Sequence, residues 1–274
     1  MKKLRRSSRI VDLTQYFLNH PQELIPLTFF SNRYQSAKSS ISEDIDIIHE
    51  MFMEEGIGKL VTVAGAAGGV KYIPSISKEV AKAEMMEICD TLSSEERLLT
   101  GGYIYMSDII GDPGILKQVG KMFASAFRDI GIDTIVTVET KGIPLAYATA
   151  SYLNVPVVIV RSDSKVTEGS VVTINYISGS TKRIQTMSLA KRSIKEGANV
   201  LIIDDFMKAG GTVKGMIDLL KEFNTNLKGI GVFVESKGLN ERLVENFVSL
   251  ARLEEVNEKE KQLKVTLGNF FDEE

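Results

Sequence analysis

Residues 200–213 have the sequence Val200-Leu201-Ile202-Ile203-Asp204-Asp205-Phe206-Met207-Lys208-Ala209-Gly210-Gly211-Thr212-Val213. The four apolar residues at the start predict a buried parallel strand. Two carboxylates follow where that strand is expected to end, and the glycine pair predicts a tight turn that opens a helix. Ligands of open α/β sheets bind at the carboxyl ends of the strands. This segment therefore predicts an α/β fold and, at the same place, a ligand site.

The chemistry of this segment suits a sugar phosphate. A loop that opens a helix presents free N–H groups to a phosphate. The adjacent acids Asp204 and Asp205 can accept hydrogen bonds from the hydroxyls of a ribose. The plainer alternative is a strand, turn and helix without a ligand, because a glycine pair alone is common in turns.

A second loop also leaves an apolar strand and opens a helix, with Thr140, Lys141 and Gly142 at its turn. Free N–H groups beside a basic side chain favour an anion. Taken alone, a Lys-Gly pair is equally compatible with an ordinary strand–helix turn. Two such loops at neighbouring strand ends together strengthen the prediction of a site.

Strands and helices alternate through residues 75–274, which predicts a large domain with a mostly parallel sheet and helices on both faces. The predicted helices are 78–92, 113–130, 143–153 and 241–247, and the predicted strands are 133–138, 155–161, 199–203 and 228–235. Residues 162–191 are expected to form either a mobile β-hairpin or a simple surface hairpin. Residues 257–274 are expected to form an edge segment or a loose tail.

Residues 1–74 predict a separate, smaller domain of three helices followed by a β-hairpin, with strands at 60–63 and 70–73 and a glycine-rich turn at 64–69. Ser7 or Ser8 is expected to cap the first helix and Ser36 the third. The apolar side of the third helix consists of Ile41, Ile45, Ile48 and Phe52. This order of elements is that of a winged helix-turn-helix, although a small helical packing or dimerisation module has a similar pattern.

Positive charge is concentrated at the N-terminus. Residues 1–74 carry nine Lys or Arg and eight Asp or Glu, and five of the nine bases fall within the first nine residues. Lys and Arg bind phosphates, and small Ser side chains permit close approach to a DNA groove. The acids Glu43, Asp44 and Asp46 argue against a basic surface unless the charges lie on different faces. The candidate DNA contacts are Arg5, Arg6, Arg9, Lys38, Ser39, Ser40, Ser42 and Lys71.

The composition excludes several classes of protein. With 43% apolar and 25% charged residues, the chain has the composition of a soluble globular protein. It contains no apolar run near the roughly 20 residues that a membrane span needs. One cysteine excludes an intrachain disulfide, and His20 and His49 are too few for a metal cluster or a histidine-based catalytic triad. These features favour a cytoplasmic protein.

The segment from Asp204 to Thr212 resembles the ribose-phosphate motif of type I phosphoribosyltransferases, which bind phosphoribosyl pyrophosphate (PRPP). The resemblance implies that the two acids hold ribose hydroxyls, that residues 208–212 hold the 5-phosphate and that residues 140–142 receive the pyrophosphate. In one respect the chain departs from the enzymes, which usually have Thr or Ser before Gly210, where this chain has Ala209. The PRPP-binding residues implied are Thr140, Lys141, Gly142, Asp204, Asp205, Phe206, Met207, Lys208, Ala209, Gly210, Gly211 and Thr212.

Over essentially its full length the chain resembles the purine operon regulators of Gram-positive bacteria, in which a winged helix is fused to a phosphoribosyltransferase-like domain. The resemblance rests on residues 37–44, 140–142, 165–170 and 204–212, and the pair Lys208-Ala209 fits this family. It implies a homodimer that binds double-stranded operator DNA of purine biosynthesis and transport genes. It also implies that PRPP controls this binding as an effector, without catalytic residues.

The sequence is also compatible with other functions. The main alternative is an active purine phosphoribosyltransferase with an N-terminal accessory domain. A third hypothesis is a PRPP-binding protein whose N-terminal domain recruits a protein. PRPP commonly carries Mg²⁺, but no residue pattern here predicts a metal site. The sequence does not decide between a repressor and an activator.

Overall fold

The structure is a computed structural model. It describes residues 4–65, 67–163, 169–178, 183–237, 242–257, 260 and 262–272. The chain divides into two compact units, residues 1–77 with 151–154 and residues 78–150 with 155–274, and each is described by itself.

The first unit contains three helices and an antiparallel hairpin. They are α1 (Arg6–Asn19), α2 (Leu27–Tyr34), α3 (Lys38–Glu54), β1 (Gly58–Val63) and β2 (Gly69–Pro74). The predicted apolar side of α3 is buried in one core with Leu13, Phe17 and Phe30 from the other two helices. The predicted winged-helix order of elements is therefore confirmed.

The two predicted helix caps are wrong. Helix α1 begins at Arg6, before the two serines, and its cap position is Arg5, with no side-chain hydrogen bond. Helix α3 is preceded by Ala37 at the cap position. The Ser36 hydroxyl instead accepts a hydrogen bond from Arg9 and donates to the carbonyl of Tyr34, which ties the start of α3 to α1 and α2.

The second unit is built on a mostly parallel sheet, as predicted. Its strands are β5 (Thr134–Val138), β6 (Val157–Val160), β9 (Asn199–Met207), β10 (Asn226–Ser236), β11 (Val248–Asn257) and β12 (Gln262–Leu267). Within the described residues they form one six-stranded sheet in the order β12-β11-β10-β9-β5-β6. Neighbours are parallel except β12, which runs antiparallel to β11 at one edge, so the edge segment expected after residue 257 is confirmed.

Five α-helices, two small hairpins and two 3₁₀ turns (Glu95–Arg97 and Asn269–Phe271) complete the described part of this unit. The helices are α4 (Lys78–Leu92), α5 (Ser107–Gly111), α6 (Pro113–Phe127), α7 (Gly142–Leu153) and α8 (Gly211–Lys221). The hairpins are β3 (Leu98–Leu99) with β4 (Tyr103–Ile104), and β7 (Val171–Ile177) with β8 (Ile184–Ala190).

Helices cover both faces of the sheet. Val200 and Ile202 of β9 share a core with Met216, Leu219 and Leu220 of α8 on one face. Residues of α6 pack on the other face, where glycines leave room for aromatic rings. A Cβ atom at Gly231 would lie 2.9 Å from the Phe123 ring, and one at Gly229 would lie 2.6 Å from the Phe127 ring. The predicted site lies at the end of the sheet where the carboxyl ends of the parallel strands meet.

The structure differs from the predicted elements in several places. Strand β9 continues through both acids to Met207, because β10 pairs with it that far. Residues 242–247 form neither helix nor strand, so the helix predicted there is wrong, and residue 241 lies outside the described residues. Strand β11 and helix α5 were not predicted.

Candidate functional site

Asp204 and Asp205 lie on β9 near its carboxyl end. On one side β9 pairs with β10 as far as Met207, whereas on the other side its pairing with β5 stops at Ile202. After β5 the chain turns into α7, so the loop at the start of α7 lies beside the two acids in place of a paired strand. The acids thus lie at a strand end, where α/β proteins bind ligands.

The two carboxylates are adjacent, with Asp204 buried and Asp205 partly exposed. Asp204 is 2% exposed, and its Oδ1 accepts a 3.0 Å hydrogen bond from the backbone N–H of Asp205. Burial, and then repulsion from Asp205, raise the pKa of Asp204 well above its ordinary value. Burial also raises the pKa of Asp205, while Asp204 and the charge of Lys141 act in the opposite direction. Desolvated carboxylates are stabilised by added hydrogen-bond donors, and the hydroxyls of a ribose are such donors.

The residues that follow the acids form a cradle for an anion. Gly210 has a φ of 83°, a left-handed conformation that favours glycine, and it occupies the cap position of α8. The first N–H groups of α8 have no partners within the helix and lie at the positive end of its dipole. Lys208 adds a positive charge, with its Nζ 5.4 Å from the centre of the Tyr103 ring.

The second loop, Thr140 to Gly142, lies beside these acids at the start of α7. Gly142 is buried, and a Cβ atom there would overlap the Thr137 hydroxyl and lie 3.4 Å from Asp204 Oδ1. Glycine at this position therefore lets the second loop approach the acids closely. The structure brings together the two loops that the sequence places more than 60 residues apart.

A cavity of about 400 Å³ opens over the two loops. It is lined by Lys141 and by all of the predicted PRPP-binding residues from Asp204 to Thr212, whereas Thr140 and Gly142 lie beside it. Its other lining residues are Leu99, Thr100, Tyr103, Ile104, Met106 and Val213.

One wall of the cavity, the β3–β4 hairpin, was not predicted from the sequence. Its strands have two residues each, too few to show the alternation that identifies a strand. The available signal was Gly101-Gly102 between two short apolar pairs, and both glycines have positive φ. The wall is held by Arg97, whose Nη1 and Nη2 donate to Asp108 over 2.8 and 2.7 Å. This pair lowers the pKa of Asp108 to about 2.

The β7–β8 hairpin packs on α8 next to the phosphate cradle. The Tyr176 hydroxyl donates to Gln185 Oε1 over 2.7 Å, and a Cβ atom at Gly215 would lie 2.9 Å from Tyr176 Cγ. Residues 164–168 and 179–182 lie outside the described residues, and so does most of the 165–170 motif. The mobility of this hairpin therefore stays a prediction.

The structure corrects the role expected of Arg9. Its side chain is buried, and its guanidinium contacts the carboxylate of Asp44, which is 0% exposed. Arg6 donates to the same carboxylate over 3.0 Å, although its side chain is 55% exposed. Arg9 thus joins α1 to α3 inside the first unit, and it is removed from the candidate DNA contacts. Arg5 is exposed at the start of α1.

The remaining DNA candidates lie on the surface of the first unit. Lys38 and Ser39 are exposed and Ser40 is partly exposed in the first turn of α3. Ser42 is exposed one turn later, and Lys71 is partly exposed on β2. Three acids argued against a basic surface. Asp44 is buried in ion pairs with Arg6 and Arg9, whereas Glu43 and Asp46 are exposed. The groove-facing assignment of these residues stays a prediction.

Two other kinds of feature are absent from the described part of the chain. Among the described residues, there is no group of three or more His, Cys, Asp or Glu side chains that could hold a metal ion. None of the helices in the described ranges is both long and apolar enough to cross a membrane.

Comparison with known proteins decides the family. The family described as "Bacterial purine repressor, N-terminal" matches residues 5–74, and the family "Phosphoribosyl transferase domain" matches residues 106–266. The purine biosynthesis transcriptional repressor PurR of Bacillus subtilis is 63% identical over 98% of this chain and 94% of its own length. The chain belongs to the PurR family.

Other relatives extend this result. A PurR protein of Lactococcus lactis subsp. lactis, described as a purine biosynthesis transcriptional activator, is 42% identical over 98% of this chain and all of its own length. PurR names in this family therefore include both a repressor and an activator. The adenine phosphoribosyltransferase structure from Thermoanaerobacter pseudethanolicus has a TM-score of 0.54 and 20% identity, and it covers 61% of this chain and 99% of that one. That similarity shows a shared fold for the second unit.

Proposed function

We propose that this chain is a DNA-binding transcriptional regulator of purine biosynthesis and transport genes, and that PRPP controls its binding to operator DNA. One observation supports the proposal most strongly. The same chain contains a domain that matches the purine-repressor N-terminal family and a cavity lined by paired acids and an anion cradle. The first feature supports the DNA target, and the second supports the effector.

The DNA-binding half is assigned to residues 1–74. The exposed start of α3 offers Lys38, Ser39, Ser40 and Ser42 to a groove, and Lys71 on β2 can add a contact from the hairpin. Arg5 and Arg6 supply positive charge close to the start of α1. The proposal includes a homodimer, which the family resemblance implies, since dimeric regulators read the two half-sites of an operator.

The PRPP-binding half is assigned to residues 75–274. Asp204 and Asp205 would accept the ribose hydroxyls, Lys208 to Thr212 would bind the 5-phosphate, and Thr140 to Gly142 would receive the pyrophosphate. Two observations support this chemistry: Asp204 is buried, and the first turn of α8 follows Gly210, which makes no side-chain cap hydrogen bond. Any Mg²⁺ would arrive with the ligand. The setting in which PRPP and the operator meet is the cytoplasm.

We further propose that the chain does not transfer the phosphoribosyl group. Ala209 lacks the hydroxyl that the enzymes place in the cradle, although Lys208 compensates with charge. The alternative, an active purine phosphoribosyltransferase, is favoured by the fold of the second unit alone. Incubation with PRPP and each purine base separates the two, since nucleotide formation by the unmodified chain would establish the enzyme. Ala209→Thr is expected to raise PRPP affinity without creating turnover.

The proposal is tested by footprinting a purine-operon promoter with the full chain, with and without PRPP. Protection that PRPP changes supports both halves. Protection that PRPP leaves unchanged contradicts effector control. If the promoter is not protected, and a pull-down instead captures a protein through the N-terminal domain, the DNA assignment is wrong. The same footprint shows whether PRPP strengthens or weakens DNA binding. PRPP can change DNA binding only if its affinity differs between the DNA-binding and the non-binding state of the protein.

The ligand assignment has its own measurement. Asp204→Ala and Asp205→Ala are each expected to weaken PRPP binding, because removing one hydrogen bond to a charged group costs roughly 1.5–3 kcal/mol. Calorimetry with the purified variants measures the change. Unchanged affinity in both variants would contradict the assignment of the acids.

A further inference from the structure

We propose that Arg242 is a positioning residue that holds the 5-phosphate cradle in shape from behind. The inference rests on the function proposed above and deepens it, because it assigns a role to a residue that does not line the cavity. Three observations support it. The Arg242 guanidinium is held by several contacts, the buried Glu235 carboxylate accepts one of its hydrogen bonds, and the residues directly after Arg242 contact the cradle.

The guanidinium of Arg242 is fixed on three sides. Its Nη1 donates to Glu235 Oε2 over 2.6 Å, and its Nη2 donates to the carbonyl oxygen of Ser236 over 2.9 Å. Its Cζ lies 5.1 Å from the centre of the Phe247 ring, within the range of a cation–π interaction. Arginine can donate to both oxygens at once from its two terminal nitrogens, whereas lysine has a single terminal nitrogen and cannot reproduce this geometry.

Glu235 is a rigid acceptor for this guanidinium. It lies at the carboxyl end of β10 and is 2% exposed. Its other oxygen, Oε1, accepts hydrogen bonds from Ser249 Oγ over 2.8 Å and from Arg252 Nε over 3.0 Å. Burial alone would raise the pKa of Glu235, but the hydrogen bonds from Ser249, Arg242 and Arg252 lower it, so the group is ionised at neutral pH.

The two residues after Arg242 contact the cradle. The backbone N–H of Leu243 donates to the carbonyl oxygen of Ala209 over 3.0 Å. The side chain of Val244 is 6% exposed, and its Cγ2 would lie 3.3 Å from a Cβ atom at Gly210. The anchor, the backbone hydrogen bond and the packing contact therefore follow one another along the chain without a gap.

This backing matters because the cradle has little conformational preference of its own. Gly210 adopts a φ of 83°, and a glycine pair can adopt many other conformations at low cost. Residues 242–247 belong to no helix or strand, so they depend on side-chain anchors for their position. Holding the N–H groups of a binding loop in the bound geometry raises affinity by lowering the entropy cost of binding.

The test compares two substitutions that each remove one guanidinium from Glu235. Arg242→Gln breaks the contact that leads to the cradle, whereas Arg252→Gln breaks the contact on the other oxygen and leaves residues 242–244 in place. Binding of ribose 5-phosphate and of PRPP to the full chain is measured by calorimetry, with thermal unfolding as a control of folding. Arg242→Gln is expected to weaken both ligands about tenfold, the equivalent of one misaligned hydrogen bond, and Arg252→Gln is expected to change neither.

Each outcome decides the proposal. Equal affinities in the unmodified chain and Arg242→Gln overturn it, and so does an equal loss in both variants, which would show that the Glu235 cluster supports only the fold. If Arg242→Gln does not fold, Arg242→Lys replaces it, because lysine keeps a positive charge beside Glu235 but cannot bind Glu235 and the Ser236 carbonyl oxygen together. A loss of affinity in Arg242→Lys supports the proposal and an unchanged affinity overturns it. If the unmodified chain binds neither ligand, both the proposed effector and the role of Arg242 are wrong. If the unmodified chain and both variants bind equally well, only the role of Arg242 is wrong.

Discussion

The guanidinium of Arg9 lies against the buried carboxylate of Asp44, and this contact joins the first helix of the chain to the third. Arg9 is 7% exposed and Asp44 is 0% exposed, so the pair lies inside the N-terminal unit. A charge pattern that resembles a basic DNA-binding arm is thus partly a structural ion pair. The other bases of the N-terminal arm, residues 2–6, stay candidates for DNA contact, although Arg6 also donates to Asp44.

The first prediction concerns this ion pair. Asp44→Asn is expected to lower the free energy of unfolding of the first unit by about 3–5 kcal/mol, because it leaves Arg9 buried without a counter-charge. The matched control is Asp12→Asn, which keeps an amide oxygen to accept from the Tyr34 hydroxyl and loses only the half-exposed ion pair with Arg33, at a cost of about 1 kcal/mol or less. Chemical denaturation followed by circular dichroism measures both. A cost for Asp44→Asn no larger than that of the control would show that the pair contributes little.

The second prediction is a pH dependence at the paired acids. An acid with a higher pKa in the folded chain than in the unfolded chain opposes folding increasingly as the pH rises from the unfolded value, 3.8, through the folded pKa. Asp204→Asn removes this opposition. The variant is therefore expected to unfold at a higher temperature than the unmodified chain at pH 7, with a difference that shrinks as the pH falls toward 3.8.

The same substitution is expected to weaken PRPP binding, because a neutral amide is a poorer acceptor for ribose hydroxyls than a carboxylate. Stability and affinity should thus change in opposite directions. Thermal unfolding from pH 4 to 8, with calorimetry at pH 7, checks both. A variant that is less stable at pH 7 would contradict the raised pKa.

The third prediction concerns Gly142. Gly142→Ala is expected to cost about 1–3 kcal/mol and to weaken PRPP binding, because its Cβ atom would overlap the Thr137 hydroxyl and press toward Asp204. Gly111→Ala is the control, since a Cβ atom there has no neighbour within 4 Å. Thermal unfolding and ligand titration of the two variants give the comparison. If Gly142→Ala behaves like Gly111→Ala, the close approach of the second loop to the acids is unimportant.

The fourth prediction concerns DNA binding. Removal of residues 2–5 takes away three bases and leaves Arg6 and Arg9 in contact with Asp44, so the fold should persist. Operator affinity is expected to fall, and its dependence on salt should flatten by about 0.9 log units for each phosphate that the arm no longer neutralises. Fluorescence anisotropy over a salt series measures the slope. An unchanged slope would mean that the arm does not contact DNA.

Lys38→Glu tests the recognition helix in the same assay. It places an acid at the exposed first turn of α3 and is expected to abolish operator binding even at low salt. Lys78→Glu, which changes an exposed lysine at the start of α4, is the matched control. If both variants bind operator equally well, α3 is not the recognition helix.

Much of the fold follows from patterns that are local in the chain. The apolar stripe of α3, the four apolar residues of β9 and the glycine pair at the start of α8 each determine an element from a few neighbouring residues. Elements that lack such a pattern were missed. The β3 and β4 strands are too short to alternate, and residues 242–247 have helical spacing but are held in an irregular path by contacts with Glu235 and Ala209.

The sequence by itself determined the elements and the chemistry of the two loops, because hydrophobic period, glycine positions and paired acids are properties of short segments. The tertiary structure decided which of those groups meet. It placed Gly142 beside Asp204, added the β3–β4 wall to the cavity and turned Arg9 inward to Asp44. Such pairings depend on strand order and helix packing, which bring together residues that are far apart in the chain and that no local pattern connects.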